Sequence, residues 1–593
     1  MKKFNSRKLV IQSVFIIVIS ILIIDLFIIQ IINSKYKYSA KNNTIRYEAQ
    51  PSVRGLIYDR NDSLLVSNIK SSDLMVIPRE VTKMDTLKLC KFLKIDILRF
   101  RERLEESSNY SLYKASLFSK EIDPQSSAMI KESLHEFNGF YIRNNTVRDY
   151  KVNIAAHVLG YLGEINKENE SIHKYFTNGD LEGKSGVEAA YDKDLRGEKG
   201  MNVILVDAHN RPQGSLNNKE HDSIPMLGED IHITLDINLQ EFASQLIDSI
   251  GKIGSIIAIE PNSGEILTLI SYPHYDPSMM TGRQRNKKYD SLYKHNDQPF
   301  FNRALSGRYP PASPFKLVNA LIGLQEKTLD KTEKYACNQG YIYGKNKEIQ
   351  RCRIHLNYPS SNKNINLKDA IKLSCNSYFC NVWEDLFKNK DESITYTAWR
   401  NHVTSFGFGR YLGHDFIEGS SGNIPTLKEV DDRPGIWYWG TLLPEAIGQG
   451  ALIVTPMHLA NLAAIIANRG SYKTPHIIKK IGGLNRVPKE FNKVHYTTID
   501  EKYFEVIIEG MRSVLKESDG TAHRHNINNI SICGKTGTAQ NNKKEDHSVF
   551  IGFAPKDNPK IAISVYIENS GSGSEVAAPI ATKIIKKYLE SNK

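Results

Sequence analysis

YPPASPFK, residues 309–316, is the stretch that decides the fold. Its two prolines end any preceding helix, and Ser313 is placed to cap a new helix that has Pro314 at its first position. Lys316 follows three residues later, so its amine and the Ser313 hydroxyl share one helix face. A serine hydroxyl attacks weakly until a base takes its proton, and a partly desolvated lysine can be that base. The stretch predicts a serine acyl-transfer enzyme with Ser313 as its nucleophile.

The spacing of a serine and a lysine three residues apart is weak evidence by itself. The chain repeats it at Ser34, Ser111, Ser291 and Ser513. Chance therefore explains a single occurrence, and the interpretation of Ser313 depends on two further motifs.

The second motif is Ser374-Cys375-Asn376, which follows the helical run LKDAIKL at 367–373. A hydroxyl at Ser374 can relay a proton between the lysine and a leaving amine. The Asn376 amide can hold both a lysine and a substrate carbonyl, because it offers an acceptor and two donors. The S-x-N pattern alone is common, so it supports a catalytic role only together with the other two motifs.

The third motif is Lys535-Thr536-Gly537-Thr538-Ala539, on a predicted strand. A cation and a hydroxyl on one strand suit a substrate carboxylate. Gly537 leaves room for an extended peptide along the strand edge. The N–H groups of Ser313 and Thr538 could together form an oxyanion hole. The alternative is a plain strand that ends in a glycine turn.

Composition places the chain among ordinary globular proteins. It has 593 residues, 40% hydrophobic and 24% charged, and a formal net charge of +12. This length predicts two or more domains. Lysines are scattered rather than clustered, which argues against nucleic-acid binding. The charge indicates a solvated surface or, as the alternative, attraction to an anionic lipid or polymer.

Residues 9–32, LVIQSVFIIVISILIIDLFIIQII, predict a single transmembrane helix. The segment is longer than the apolar core of a cleavable signal, so we expect it to stay as an anchor. Lysines and arginines flank it equally, so charge does not decide its orientation. We place residues 1–8 in the cytoplasm because the predicted chemistry belongs outside the cell membrane. Asp25 is expected at the outer interface or against a partner helix.

The remaining pattern predicts an α+β multidomain protein. Residues 34–225 form a mixed, non-catalytic pedestal domain, and residues 230–593 form the catalytic domain. In the latter, 255–260 and 265–272 predict a β-hairpin, and strands return at 531–540, 548–554 and 560–568. Helices are predicted at 239–250 and 577–590, with mostly helical sequence from 313 to 470. Strands at both ends of the domain predict an antiparallel sheet flanked by helices, with a helical lobe inserted.

The three motifs occur in the order known for class A β-lactamases and penicillin-binding proteins. With the anchor, the chain resembles the class B penicillin-binding proteins, which are monofunctional D,D-transpeptidases that cross-link peptidoglycan. RGLIYDRNDSLLVSN and SGVEAAYDKDLRG resemble the pedestal (dimerisation) domain of that family, and AIGQGALIVTPMHLA (446–460) resembles the segment before its last motif. We see no glycosyltransferase domain.

Ser374-Cys375-Asn376-Ser377-Tyr378-Phe379 is more similar to the elongation-type proteins than to the division type. This resemblance implies a role in elongation and cell shape. It also implies a catalytic domain in the periplasm, anchored in the inner membrane. The implied partners are a SEDS-family glycosyltransferase and other membrane proteins of the elongation complex.

The resemblance implies the following roles. Ser313 attacks the D-Ala–D-Ala carbonyl of a donor stem peptide and expels D-Ala, and an amine from a second stem resolves the acyl-enzyme. Lys316 is the general base, Ser374 and Asn376 relay the proton, and Lys535 and Thr536 bind the terminal carboxylate. β-Lactams would acylate the same serine.

Two residues depart from the family pattern. Ala312 stands where a glycine usually precedes the nucleophile, which predicts a slightly shifted turn. Val549 stands where an aromatic residue is common, which could alter the acceptor side.

No cofactor is required for this chemistry, but a cysteine cluster predicts a structural feature. Cys337, Cys352, His355 and Cys375 could form a tetrahedral zinc site, and some elongation-type relatives bind zinc in this region. The alternatives are a Cys337–Cys352 disulfide and unrelated buried thiols, among them Cys380.

Other functions remain open from sequence. A D,D-carboxypeptidase would use the same motifs with water as acceptor, and a division-type transpeptidase would share the whole layout. A β-lactamase is disfavoured by length, and a β-lactam sensor by the short N-terminal tail. A non-catalytic scaffold that activates its glycosyltransferase is disfavoured by the intact motifs.

Overall fold

The chain folds into two compact units in the computed structural model. The first unit comprises Met1–Arg54, Ile69–Val147 and Arg196–Gly228, and the second comprises Gly55–Asn68, Arg148–Leu195 and Glu229–Lys593. The described residues are 2–28, 45–113, 115–165, 180–206, 212–215, 222–282, 284–337, 340–344, 347–352, 363–432, 438–484, 488–541 and 543–592.

The N-terminal apolar segment is a helix, as predicted. The helix spans Lys2–Phe27, and its stretch Leu9–Phe27 has a mean hydropathy of 2.8 with no part buried in the fold. This stretch is long and apolar enough to cross a membrane. Residues 29–32 of the predicted span lie outside the described residues.

The described residues of the first unit contribute strands to two sheets and, besides the N-terminal helix, form three further α-helices. The strand Ser116–Ile122 pairs with the later residues of the strand Leu64–Val76. Phenylalanines such as Phe100, Phe118 and Phe140 form the buried core of this unit. Its other elements are a three-stranded antiparallel sheet of Ile45–Gln50, Gly200–Val206 and Pro212–Ser215, the helices Thr86–Leu93, Ile97–Tyr110 and Pro124–Glu132, and the strand Phe140–Tyr150.

The second unit is built on a five-stranded antiparallel sheet. The predicted hairpin forms, and its strand Gly254–Ile259 pairs with Ile561–Ile567, so the two sequence ends of the catalytic domain meet as expected. Four of the five strands are rich in β-branched and aromatic residues, which suit a buried sheet, and the exception is the edge strand Cys533–Ala539. Their order is Ile266–Tyr272, Gly254–Ile259, Ile561–Ile567, His547–Ala554 and Cys533–Ala539.

Two pairs of helices flank this sheet. Ile237–Ile250 packs with the C-terminal helix Ala577–Ser591, and Pro456–Ala467 lies beside Phe504–Lys516. Asp236 caps the first of these helices by accepting from the Asn238 and Leu239 amides. The strand Cys533–Ala539 is at the edge of the sheet, so one side of its backbone is not paired within the sheet.

The inserted lobe is mainly helical. It contains the helices Phe315–Gln325, Leu367–Leu373, Asn376–Phe387 and Glu392–Ser405, packed around Trp383 and Trp399. Between the first two helices the structure has short strands that the sequence interpretation did not include. These strands are Tyr335–Cys337, Gly340–Tyr343, Glu348–Arg351 and Lys363–Ile365.

Two segments of the range 34–225 pack with the catalytic unit. The strand Ile57–Tyr58 pairs in parallel with Ile231–Ile233, which pairs in turn with Ile478–Ile481. Arg148 and Glu188 form a buried ion pair with an N–O distance of 2.7 Å. The strand pairing joins Gly55–Asn68 to residues 229–593, and the hydrogen bond from the Tyr191 hydroxyl to Asp415 (2.8 Å) joins Arg148–Leu195 to them.

Candidate active site

The Ser313 turn is held by a left-handed residue. Ala312 has a φ of +55° and is fully buried. Its amide donates to the Gly448 carbonyl (2.8 Å), and its carbonyl accepts from the Phe315 amide (3.0 Å). The helix begins at Phe315, so Ser313 lies in the tight turn before it and is not the cap that the sequence predicted. The sharp reversal at Ala312 accounts for this difference.

Lys316 is fully buried and surrounded by acceptors from the second motif. Its ammonium lies 2.6 Å from Asn376 Oδ1, 2.9 Å from the Ser374 carbonyl and 3.4 Å from Ser374 Oγ. It also lies 5.6 Å from the centre of the Phe379 ring. The Lys316 amide donates to the Ser313 carbonyl (3.2 Å), so both residues belong to one turn.

The second motif lies at the junction of two helices. Ser374 ends the helix Leu367–Leu373 with a φ of +57°, and Cys375 caps the helix Asn376–Phe387 by accepting from the Tyr378 amide. This abrupt junction turns Ser374 and Asn376 towards Lys316. The side-chain nitrogen of Asn376, Nδ2, donates to the Arg351 carbonyl (2.8 Å), so this nitrogen already has an acceptor.

Lys535 brings the third motif to the same point. Its ammonium donates to Ser374 Oγ (2.7 Å) and to the Thr536 carbonyl (2.9 Å). Burial, and then the charge of Lys316, lower the pKa of the Lys535 amine well below its ordinary value of 10.5. Ser374 Oγ therefore lies between the amines of Lys316 and Lys535.

Gly537 has a packing reason to lack a side chain. A Cβ there would lie 2.7 Å from Pro314 Cδ, 3.2 Å from Val549 Cβ and 3.3 Å from Ala312 Cβ. The strand of the third motif thus touches the turn that carries Ser313. Val549 is the residue paired with Gly537 across the sheet.

Thr536 and Thr538 have partners that the sequence interpretation missed. The Thr536 hydroxyl lies 2.8 Å from the hydroxyl of Thr521, in the connection before the strand. The Gln449 side chain donates to the Thr538 carbonyl at 3.3 Å. Gln449 belongs to the segment 446–460 singled out by resemblance, whereas nothing in the sequence marked Thr521.

A second missed network supports the residues before Ser313. Tyr309 donates to Glu568 (2.7 Å) and stacks on Tyr566, and Arg303 lies 3.4 Å from Glu568. The Tyr309 backbone exchanges hydrogen bonds with Val454. These contacts fix the start of YPPASPFK.

The competing serines differ from Ser313 in their surroundings. Ser513 is buried within a helix and donates to the Gly510 carbonyl (2.7 Å), and Ser291 lies exposed on the helix Arg285–Tyr293. Ser34 lies outside the described residues. Ser313 is the candidate whose lysine contacts the second motif.

Three of the four predicted metal ligands come together. The sulfur atoms of Cys337, Cys352 and Cys375 are separated by 3.5, 3.7 and 3.4 Å, and all three residues are buried. His355 lies outside the described residues. The backbone N–H of Asn376 donates to Cys352 Sγ (3.3 Å), so the cluster adjoins the second motif.

The arrangement suits acyl transfer by a serine. Three distant segments supply a nucleophile, two buried amines and a hydroxyl that both amines contact. Two amines that share one hydroxyl can move a proton from the attacking serine to a leaving amine, which is the work of general acid–base catalysis.

Family models match both parts of the chain. A model described as "Penicillin binding protein transpeptidase domain" matches residues 254–586, and one described as "Penicillin-binding Protein dimerisation domain" matches residues 49–233. The chain is 31% identical over 580 residues to the "Peptidoglycan D,D-transpeptidase MrdA" of Acinetobacter baumannii, a match that covers 92% of this chain and 82% of that relative.

Solved structures agree with these matches. The PBP2–MreC complex from Helicobacter pylori matches with a TM-score of 0.75 and 25% identity, covering 92% of this chain and 99% of that one. PBP2 of Pseudomonas aeruginosa in complex with WCK 5153 matches with a TM-score of 0.67 and 26% identity, over 92% and 97% of the two chains.

Proposed function

This chain belongs to the penicillin-binding protein transpeptidases, and from that premise we propose how its residues perform the reaction. The enzyme is a peptidoglycan D,D-transpeptidase of the elongation type, with an N-terminal apolar helix consistent with a membrane anchor. The observation that supports the proposed path best is the position of Ser374 Oγ, 2.7 Å from the Lys535 ammonium and 3.4 Å from that of Lys316.

In acylation, Ser313 Oγ attacks the carbonyl carbon of the D-Ala–D-Ala bond, and its proton passes to the Lys316 amine, which acts as the general base. The N–H groups of Ser313 and Thr538 stabilise the oxyanion. The proton then passes through Ser374 to the D-Ala nitrogen as the C–N bond breaks. The products are the Ser313 ester and free D-Ala.

In the second half-reaction an amine of a neighbouring stem peptide attacks the ester. Lys316, with Ser374, takes the proton of this amine and returns a proton to Ser313 Oγ.

Before the first half-reaction, the positive charge of Lys535 and the Thr536 hydroxyl hold the terminal carboxylate of the donor peptide. The Asn376 oxygen keeps the Lys316 amine in place.

The acceptor distinguishes this function from a carboxypeptidase. Full-length enzyme in detergent is incubated with a stem pentapeptide donor and a stem-peptide amine acceptor, and products are identified by mass. We expect D-Ala release together with the amide-linked dimer, lost in Ser313→Ala and kept in Ser291→Ala. D-Ala release that yields only the hydrolysed tetrapeptide at saturating acceptor would instead support a D,D-carboxypeptidase.

We propose that Cys337, Cys352 and Cys375 hold a structural zinc ion, with His355 as the predicted fourth ligand. Tetrahedral zinc with Zn–S bonds of about 2.3 Å separates its sulfur ligands by about 3.8 Å, and the three sulfur separations, 3.4–3.7 Å, approach this value. All three sulfur atoms are buried and lie close to one another, as the ligands of a single ion would.

When bound, this ion would supply a structural cross-link beside the second motif. Metal analysis should find about one zinc per chain in wild type, much less in Cys352→Ser and an unchanged amount in Cys90→Ser, a buried cysteine of the first unit. Metal-free protein that carries a Cys337–Cys352 disulfide under non-reducing conditions would contradict the zinc site and support the disulfide instead.

For partners and location we propose an inner-membrane protein with residues 1–8 in the cytoplasm and the catalytic unit in the periplasm. A SEDS-family glycosyltransferase would bind the anchor helix and the pedestal domain. Since a structural neighbour is a PBP2–MreC complex, we also propose an MreC-type partner for the first unit, which exposes apolar Ile224, Met226 and Leu227. Met226→Lys should weaken co-purification with that partner, while Leu87→Lys, also exposed in this unit, should not.

A further inference from the structure

Thr521 lies beside the third motif without belonging to any predicted site. It is in the connection between the helix Phe504–Lys516 and the strand Cys533–Ala539. Its hydroxyl lies 2.8 Å from the Thr536 hydroxyl, and Thr536 is only 7% exposed. A hydroxyl so shielded from water takes its orientation from its protein neighbours.

The connection that carries Thr521 is tightly fixed. The amides of Gly520 and Ala522 donate to the Glu517 and Val514 carbonyls at 2.9 and 3.0 Å. A Cβ at Gly520 would lie 2.3 Å from the Val514 carbonyl oxygen, so the connection packs closely against the end of the helix. Thr521 is therefore presented to Thr536 by a closely packed, hydrogen-bonded connection.

Lys372 ties this loop to the second motif. Its ammonium lies 3.0 Å from Asp369, 2.8 Å from Glu517 and 3.1 Å from Asp519, and its carbonyl accepts from the Thr521 amide (3.4 Å). Lys372 precedes Ser374 by two residues. The position of Thr521 is thus coupled to that of the relay serine.

The hydrogen bond between the Thr521 and Thr536 hydroxyls decides whether Thr536 can donate a hydrogen bond to a substrate carboxylate. Each hydroxyl has one proton, and an ionised carboxylate only accepts hydrogen bonds. When Thr521 donates to Thr536 Oγ1, the Thr536 proton is left for the substrate. Without Thr521, the buried Thr536 hydroxyl can turn its proton to another protein acceptor. The Lys535 ammonium does not prevent this, since it donates to the Thr536 carbonyl and to Ser374.

We propose that Thr521 is a positioning residue that acts through Thr536 and sets the preference of the enzyme for acyl donors with a free terminal carboxylate. This inference rests on the proposed function, in which Lys535 and Thr536 bind that carboxylate.

The test uses full-length enzyme and two D-alanyl thioester donors. One has a leaving group that ends in a carboxylate, and the other has the same leaving group capped as a primary amide. The quantity measured is kcat/KM for each donor. Thr521→Val keeps the shape of the side chain and should lower kcat/KM about tenfold for the carboxylate donor, the effect of one hydrogen bond to a charged group. The amide donor, which would lose only a neutral hydrogen bond, should change by about twofold.

Two controls define the result. Thr521→Ser restores the hydroxyl and should restore the preference. Thr395→Val removes a more deeply buried threonine hydroxyl far from the third motif in sequence, bonded to the Asp391 carbonyl (2.7 Å), and should leave both donors unchanged. An equal loss with both donors in Thr521→Val would show a merely structural role and overturn the inference, as would no change with either.

Thr536→Val separates this inference from the proposed function. If Thr536→Val abolishes the preference and Thr521→Val does not alter it, the inference about Thr521 fails and the carboxylate site stands. If Thr536→Val also leaves the preference intact, the carboxylate site itself is wrong and the inference falls with it.

Discussion

Gly537→Ala tests the contact between the third motif and the nucleophile turn. The change adds one methyl group on the strand Cys533–Ala539, where Gly537 has no left-handed backbone that alanine would strain. Its Cβ would lie 2.7 Å from Pro314 Cδ, and ordinary contact begins at 3.4 Å, so the ring must retreat by about 0.7 Å. Pro314 follows Ser313 directly, so Ser313 must move with it.

The size of this displacement determines how much the acylation rate should fall. A reacting atom misplaced by about 1 Å costs about 10²-fold in rate, so a shift of this size should slow acylation by roughly 10- to 100-fold. Overpacking should also cost about 1–3 kcal/mol of stability, seen as a Tm lower by a few degrees. The assay is the second-order rate constant for acylation by a fluorescent penicillin, measured beside the Tm.

Gly483→Ala is the matched control. A Cβ at Gly483 meets nothing within 4 Å, and its φ is not positive, so acylation should stay within about twofold of wild type. Acylation of Gly537→Ala at the wild-type rate, or an equal loss in Gly483→Ala, would contradict the contact between the third motif and the nucleophile turn.

Three further changes test other parts of the account. Asn376→Leu removes the side-chain oxygen that lies 2.6 Å from the Lys316 ammonium and should slow acylation more than tenfold. The control Asn381→Leu should acylate at the wild-type rate. Equal acylation rates for the two variants would contradict the role of the Asn376 side chain. The pKa of Lys535 is lowered on folding, so the unfolded state holds more protons between that lowered pKa and 10.5. Stability should therefore rise with pH in that window, and Lys535→Met should flatten the Tm–pH curve; parallel curves would refute this. Arg148→Met leaves Glu188 buried without its 2.7 Å partner and should lower the free energy of unfolding, measured with denaturant, by about 3–5 kcal/mol. The double variant Arg148→Met with Glu188→Leu should lose less stability than Arg148→Met alone. A larger loss in the double variant would contradict the role of the ion pair.

Much of the active site could be predicted because its motifs carry local chemistry. Ser313, Ser374 and Lys535 are marked by residue type and order, and the structure brings their segments together. The meeting of the terminal strands also followed from pattern, since hydrophobic strands at both ends of a domain must find partners in one sheet.

Other features depend on long-range contacts that no local pattern contains. Thr521 is a single threonine in a connection, and only the packing of that connection places it on Thr536. The pairing of Ile57–Tyr58 with Ile231–Ile233 depends on backbone hydrogen bonds across many residues. The left-handed backbone at Ala312 follows from the close approach of Gly448, where a Cβ would lie 2.1 Å from the Ala312 carbonyl oxygen.

The most direct test of the central claim is to map the residue that a penicillin acylates. The full-length enzyme is labelled with a fluorescent penicillin, digested and sequenced by mass spectrometry. We expect one adduct per chain, on Ser313, absent in Ser313→Ala and present in Ser291→Ala. An adduct on another residue, or equal labelling of wild type and Ser313→Ala, would contradict the account.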